Sequence, residues 1–512
     1  MTLAIVLAIL LGTVAGAITY GRRTRRAQNF ADWAVGGRSL GTLIFWFMNA
    51  GEVYTTFAVL GISGYAWALG APAYLAFCSV SLSYAIGYWL MPRIWRAGRI
   101  ARLVTQSDFF AARYEAPWLG VLTGLIGIAS LVVYVQIQLV SLGLIVQLTL
   151  GSHITSQAAT IGAGVLMIAF VFVAGVRSAA FAAGVKDVLM VVVVVLLSVT
   201  VASKVGAASL LDLFSMAEAK HPGIGKFPGL DPASPTTAIW LMTSAINIAL
   251  GNWVFPHLFQ MSYTAHSATA IRRNAIWQPL YSLAYFFIIL LGFAALLAQT
   301  QPPGGNLNAA LLQFVSDRYP AWMVGLLAGT GFLLALAPGS LLLLTAGSIF
   351  TRNVVRPFKS DLSEPASLAL SRGSLVVFAA FAVWLSVSQK GSLVKILLDA
   401  YSAIGMLAPG VFLGFLWKRT TALGVLAGLV AGFVALLAPF AAKFWAATVP
   451  QWEAGLIAMA INAAIVIAVS LMTKPPQAKA IALGLQEDHA RAFAQGAVQA
   501  ASPASRRSSQ ML

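Results

Sequence analysis

Residues 49–56 read Asn-Ala-Gly-Glu-Val-Tyr-Thr-Thr, in the middle of a run that is otherwise apolar from residue 40 to 66. A plain membrane anchor would place Leu and Val there. A carboxylate at that depth costs about 2.5–3.5 kcal/mol on insertion scales and by default marks a functional position; the bland alternative is a Glu held by a neighbouring hydroxyl. Gly51 relaxes the backbone, and Asn49, Thr55 and Thr56 can satisfy the groups that unwinding frees, so the stretch predicts a locally broken helix. Asn49, Gly51, Tyr54 and Thr55 become candidate substrate contacts, and Glu52 a candidate for ion coupling. Residues 236–260 repeat the theme with Asn247, Gly251, Asn252, Pro256 and His257. Pro256 removes a backbone donor and sets a bend; Asn247 and Asn252 join the substrate candidates. His257, counted as near the end of its span, reads as structural. Two interrupted spans five helices apart fit two inverted five-helix repeats, about 40–204 and 236–417, with the site where the broken helices meet.

The rest of the chain supports an all-α integral membrane protein. Of its 512 residues 59% are hydrophobic and only 9% charged, against roughly 25% charged in soluble chains. At about 20 apolar residues per bilayer crossing, thirteen spans are expected, near 2–20, 40–66, 69–92, 117–148, 155–176, 179–204, 236–260, 278–299, 320–350, 372–389, 394–417, 421–440 and 454–472. The basic cluster Arg22, Arg23, Arg25 and Arg26 follows the first span rather than preceding it, unlike a cleaved signal. It places the N-terminus outside. Alternating thirteen spans then puts 25 of the 32 Lys and Arg on the cytoplasmic side and 7 outside, as the positive-inside rule requires. The expected organisation is an extra helix and basic loop at 1–39, a ten-helix core at 40–417, two further helices within 418–472, and a polar cytoplasmic tail at 473–512. The segments 205–235 and 300–319 read as external caps.

Other chemistry is missing. There is no G-x-x-x-x-G-K-[ST] phosphate loop, so any pumping is secondary; the five histidines lack metal-ligand spacing; no G-x-S-x-G elbow appears. The net charge of +17 sits in short loops rather than on a nucleic-acid-binding face. Cys78 is the only cysteine, and reads as a small residue in an apolar run. Polar points remain at Ala337-Pro338-Gly339-Ser340, where small residues also permit close packing, and at Lys186-Asp187, a snorkelling ion pair or a site of ion release.

The stretch WAVGGRSLGTLIFWFMNAGEVYTTFAVLGISG, followed by VTQSDFFAARY and VQIQLVSLG, resembles the sodium:solute symporter family from about Asn29 to Lys418. It is most similar to the bacterial monocarboxylate permease branch, through the acidic Tyr-Thr run, Val185-Lys186-Asp187, Phe255-Pro256-His257, Arg272 to Asn274, and APGSLLLLTAGSIFTRN. The resemblance implies the LeuT-type fold, a role for Gln138 in substrate binding, and no enzymatic activity. Sodium-coupled members carry a hydroxyl pair where Ala337 and Pro338 align here, so a sodium site near Ala337 and Ser340 is weakened. The family's Gly-Gly step appears only as Ala174-Gly175. Ion coupling then falls to Glu52, which can carry a proton beside a carboxylate and keep the pair neutral. Lys186, Asp187 and Ser340 are the other candidates.

The expected function is uptake of a small organic acid such as lactate or pyruvate through the cytoplasmic membrane. Its anionic group would sit near an exposed helix N-terminus, and a proton or sodium gradient would drive it. No cofactor, nucleic acid or obligatory protein partner is expected. The rivals are sodium coupling with an amino acid, vitamin or haloacid, and a sensor or channel on the same scaffold.

Overall fold

The computed structural model describes residues 1–24, 29–150, 154–173, 176–388, 393–477 and Leu483. The Ala174-Gly175 step and nearly all of the tail beyond residue 477 lie outside the described residues. Eight helices are long and apolar enough to cross a bilayer, and three further pairs are bent by 43° to 73° at short breaks. The shorter helices Thr42–Gly51 and Phe57–Leu69, and Gln157–Phe172, occupy the second and fifth expected spans. Each of the thirteen expected spans therefore meets a helix or a broken pair. Among the described residues the only β pairing is the isolated bridge of Leu40 with Ala265.

Several helices outrun their apolar runs. The helix Leu75–Ile100 carries Arg93, Arg96 and Arg99 beyond the expected end, and Ala268–Tyr281 begins ten residues before the expected 278, because the Ser267 hydroxyl accepts from the Ala270 N–H and starts the helix early. Long basic side chains there can reach polar headgroups from an apolar stem. Bends also appear where none was expected, at 43° between Leu393–Gly405 and Ala408–Leu416 and at 73° between Ala422–Leu437 and Pro439–Thr448. Proline accounts for the second: it is tolerated at the first position of Pro439–Thr448, and it holds Ala438 extended at φ −73°, ψ 128°.

The helix Ala321–Ile349, with the wide turn Phe350–Val355 at its end, forms the centre: its most apolar window is 100% buried by protein. The N-terminal helix Thr2–Thr24 lies against it where Gly325 and Gly329 leave room for Thr2, Ile5 and Ile9. The segment 205–235 does form a helix, Leu210–Lys220, followed by a loop that covers the end of the first broken helix: Ala71 donates to the Ile224 carbonyl (2.7 Å) and Leu230 to that of Leu69 (3.0 Å). The segment 300–319 supplies a second short helix, Ala310–Arg318.

Gly292 is one of the close approaches to the first broken helix. A Cβ there would run into the Ser63 carbonyl oxygen and lie 2.7 Å from Ala66 Cβ, whereas one at Gly162 meets nothing within 4 Å. Gly292→Ala is therefore expected to lower the thermal midpoint of the solubilised protein, by about 1–3 kcal/mol of overpacking. Gly162→Ala is expected to be neutral or stabilising, since Ala is the better helix former. Equal midpoints for the two variants would contradict this packing.

Candidate functional site

The first broken span is helical over Thr42–Gly51, loses regularity through residues 52–55, and resumes at Thr56, with a wide turn over Phe57–Gly61. Gly51 and the run Val-Tyr-Thr-Thr are poor helix formers, but unwinding inside lipid demands a partner for every freed group. Lys186 supplies two of them. Its buried ammonium donates to the Gly51 carbonyl and, at 2.9 Å, to that of Tyr54, and it pairs with Asp187 at 2.9 Å. Tyr285 donates to the Val53 carbonyl at 3.0 Å, and the Thr55 hydroxyl accepts from the Phe57 N–H at 3.2 Å. The Tyr54 ring packs between those of Tyr281 and Tyr285, with centroids 4.4 and 4.9 Å away.

The second span breaks between Ala238–Asn252 and Pro256–Ser262, bent by 49°. The break leaves the Val254 carbonyl without a helical donor, and it accepts from Gln106 Nε2. Trp253 fills the bend and donates from its indole to the Ser83 carbonyl at 2.5 Å.

Between the two breaks lies a cavity of about 40 Å³, room for about three waters. Glu52 and His257 face one another in its wall, Oε2 to Nε2 at 3.4 Å, both nearly inaccessible. Asn252 lines it too, accepting from the Tyr401 hydroxyl at 2.8 Å. Tyr134, Tyr285, Ser79 and Ser83 complete the polar lining.

Glu52 and Asn252 are thus the sequence candidates that share the cavity. The others stand around it. Asn49 donates to Gln278 (3.1 Å), Gln138 accepts from Thr56 (3.1 Å), and Asn247 donates to Ser402 (3.3 Å) toward the last span. Thr55, Gly51 and Tyr54 form the break itself, with Lys186 and Asp187 behind it. Ser340 donates to the carbonyl of Ala337 at 2.7 Å within its own helix. His257, expected to be structural, stands in the cavity wall instead: the chain unwinds at 253–255, so this residue opens the second half-helix rather than closing a continuous one. Two spacings could have revealed other lining residues: Tyr134 lies one turn before Gln138, and Ser79 and Ser83 are four apart on one helix face.

A polar network ties the helix Gln106–Arg113 to the wide turn Phe350–Val355. Thr105 and Asp108 cap the helix Gln106–Arg113 reciprocally. Asp108 also accepts from Arg352 at 2.6 Å and from Asn353 at 2.8 Å, while Thr105 donates to Asn353 at 2.7 Å.

The profile of the "Sodium:solute symporter family" matches residues 33–432. The chain belongs to this family. Among its relatives, "Uncharacterized symporter YhjB" of Bacillus subtilis is 33% identical across 93% of this chain and 98% of its own length. A "Monocarboxylate transport permease protein" of Rhizobium johnstonii is 26% identical across 80% and 82%. Among solved structures, a Na+-coupled sialic acid symporter in a substrate-bound outward-open state superposes with a TM-score of 0.75 at 16% identity, covering 93% of this chain and 98% of that one. That likeness establishes the LeuT-type fold. The chain is a multi-pass membrane transporter, a solute:cation symporter that binds a small molecule within the membrane.

For this symporter the Lys186 ammonium is what holds the first break unwound. Lys186→Met is expected to leave Asp187 buried and unpaired, destabilising the protein by about 3–5 kcal/mol. Lys186→Met/Asp187→Asn is expected to recover part of that loss. Thermal unfolding of the three proteins tests this, and an unaffected single variant would refute it.

Proposed function

We propose that this symporter imports short monocarboxylates, of the size of lactate or pyruvate, each with a proton, by alternating access to the cavity between the broken helices. One observation carries the reading: the crossing point of the two breaks is a small cavity of about 40 Å³ with an acid, Glu52, in its wall. Such a space suits a solute of few heavy atoms. Glu52 is placed to take up a proton beside an incoming carboxylate, so that no net charge is carried into a medium where an unpaired ion is expensive. The monocarboxylate permease among the relatives supports the substrate class. The carrier works in the cytoplasmic membrane, N-terminus outside and C-terminus inside, a reading supported by the charge bias of its loops.

The Lys186 ammonium favours the proton over sodium, because it already takes two of the oxygens that the first break frees. Sodium is the second reading, favoured by the family's name and by the Na+-coupled sialic acid symporter. Its ligands would be Ser340, Thr55 and backbone carbonyls; both hydroxyls are engaged within their own segments.

Purified protein in proteoliposomes, given labelled short acids under separately imposed proton and sodium gradients, is expected to accumulate acid with the proton gradient alone. Accumulation with sodium alone would decide for the second reading. Glu52→Gln is expected to retain counterflow and lose concentrative uptake; unchanged accumulation would remove Glu52 from the mechanism.

A further inference from the structure

Resting on the reading of a proton-coupled acid carrier, we infer that His257 receives the substrate's carboxylate, and that Glu52 and His257 act as one acid–base pair whose charge sets one proton per acid. His257 is the only cavity-lining side chain among the described residues that can carry a positive charge; the rest of the polar wall is Glu52, Asn252, Ser79, Ser83 and the hydroxyls of Tyr134, Tyr285 and Tyr401. The imidazole lies against the rings of Tyr134 and Phe255, which hold its plane. Its Nε2 faces Glu52 at 3.4 Å. Its Nδ1 is buried and has no hydrogen-bond partner, and neither has Glu52 Oε2. A buried ring nitrogen without a partner is uncommon in native structures and calls for one; a ligand oxygen would supply it.

The remaining charged groups near the breaks do not compete. Lys186 and Asp187 are paired with one another behind the first break, and the ammonium is held by the carbonyls of Gly51 and Tyr54. The charge on the cavity is therefore that of the Glu52–His257 pair.

With one proton, shared between them, the pair is neutral, and a carboxylate entering would bring an uncompensated negative charge. With two protons the pair is +1. The imidazolium then donates from Nε2 to the neutral Glu52 carboxyl and from Nδ1 to the substrate carboxylate, and the loaded site is neutral. No covalent bond forms or breaks; one proton enters with each acid and leaves with it. A histidine suits this role because small changes of surroundings move its charge across physiological pH. Neutral analogues of the same shape, such as lactamide, gain nothing from the second proton.

The test is uptake and counterflow in proteoliposomes across external pH 5 to 8, comparing wild-type protein with His257→Gln and Glu52→Gln, with lactate and lactamide as solutes and a pH electrode to count protons. Wild-type protein is expected to move one proton per lactate and to prefer lactate to lactamide. His257→Gln is expected to raise the KM for lactate at least tenfold, to flatten its dependence on pH and to erase the preference over lactamide, with the thermal midpoint little changed. A purely structural histidine would lower the midpoint and leave the pH profile in place. Wild-type protein that accumulates no short acid under either gradient overturns the carrier reading and this one with it. Wild-type accumulation, with His257→Gln retaining the wild-type KM and pH profile, overturns this inference alone. Should His257→Gln not fold, the proton count decides: a ratio other than one per lactate in wild type, or an unaltered pH profile in Glu52→Gln, overturns the pair.

Discussion

Backbone that leaves the helical path inside a bilayer must find other partners for its polar groups, and at the first break of this protein one side chain meets two of those demands at once. Lys186 reaches from the long helix Val176–Val205 and holds two carbonyls of the first break. Its own charge is balanced by the next residue, Asp187. An ammonium and a carboxylate buried without such company would each cost several kcal/mol; with it, they hold open a stretch of chain that would otherwise close into a helix. The second break depends on a neutral version of the same device, an amide from Gln106 on the Val254 carbonyl. The difference has a chemical result. The first break is held by a pair of ions, the second by dipoles, and the Glu52–His257 pair lies between them.

The spans were legible because lipid leaves little choice: an apolar run of the right length has to be a helix. The breaks were legible because Gly51 and Pro256 are residues a continuous helix would avoid. Pairing across the interior was not. Asn49 and Gln278 are 229 residues apart, and nothing local to either announces the other, so a polar residue near a break could face the cavity or a neighbouring helix with equal warrant. Asn252 faced the cavity; Asn247, five residues earlier, turned toward Ser402 instead. The place of His257 departs from the expected one for a geometric reason. Its depth was counted along an unbroken helix, but three residues out of register and a 49° bend move it from the end of a rod to the edge of a hollow. Tyr134 lies in a span with no break near it and Tyr401 in one whose 43° bend no residue pattern announced, and a phenol in an apolar run has no periodic mark to separate packing from binding.

Of the two readings of Lys186, a snorkelling pair or a release point, the first does not hold. Snorkelling requires a route to the headgroups, and this side chain is fully enclosed. Its length is used inward, across the gap to a neighbouring helix's backbone.

The helix Ala321–Ile349 meets no lipid across its most apolar window, while the corresponding window of Glu364–Ser388 is only 28% covered by protein and that of the N-terminal helix 22%. Membranes differ in thickness by several ångströms, and a helix in contact with acyl chains answers by tilting or by deforming the sheet of lipid around it. Here that adjustment falls on the outer ring. The innermost rod is shielded from it, so the same chain can keep one internal geometry in bilayers of unequal depth.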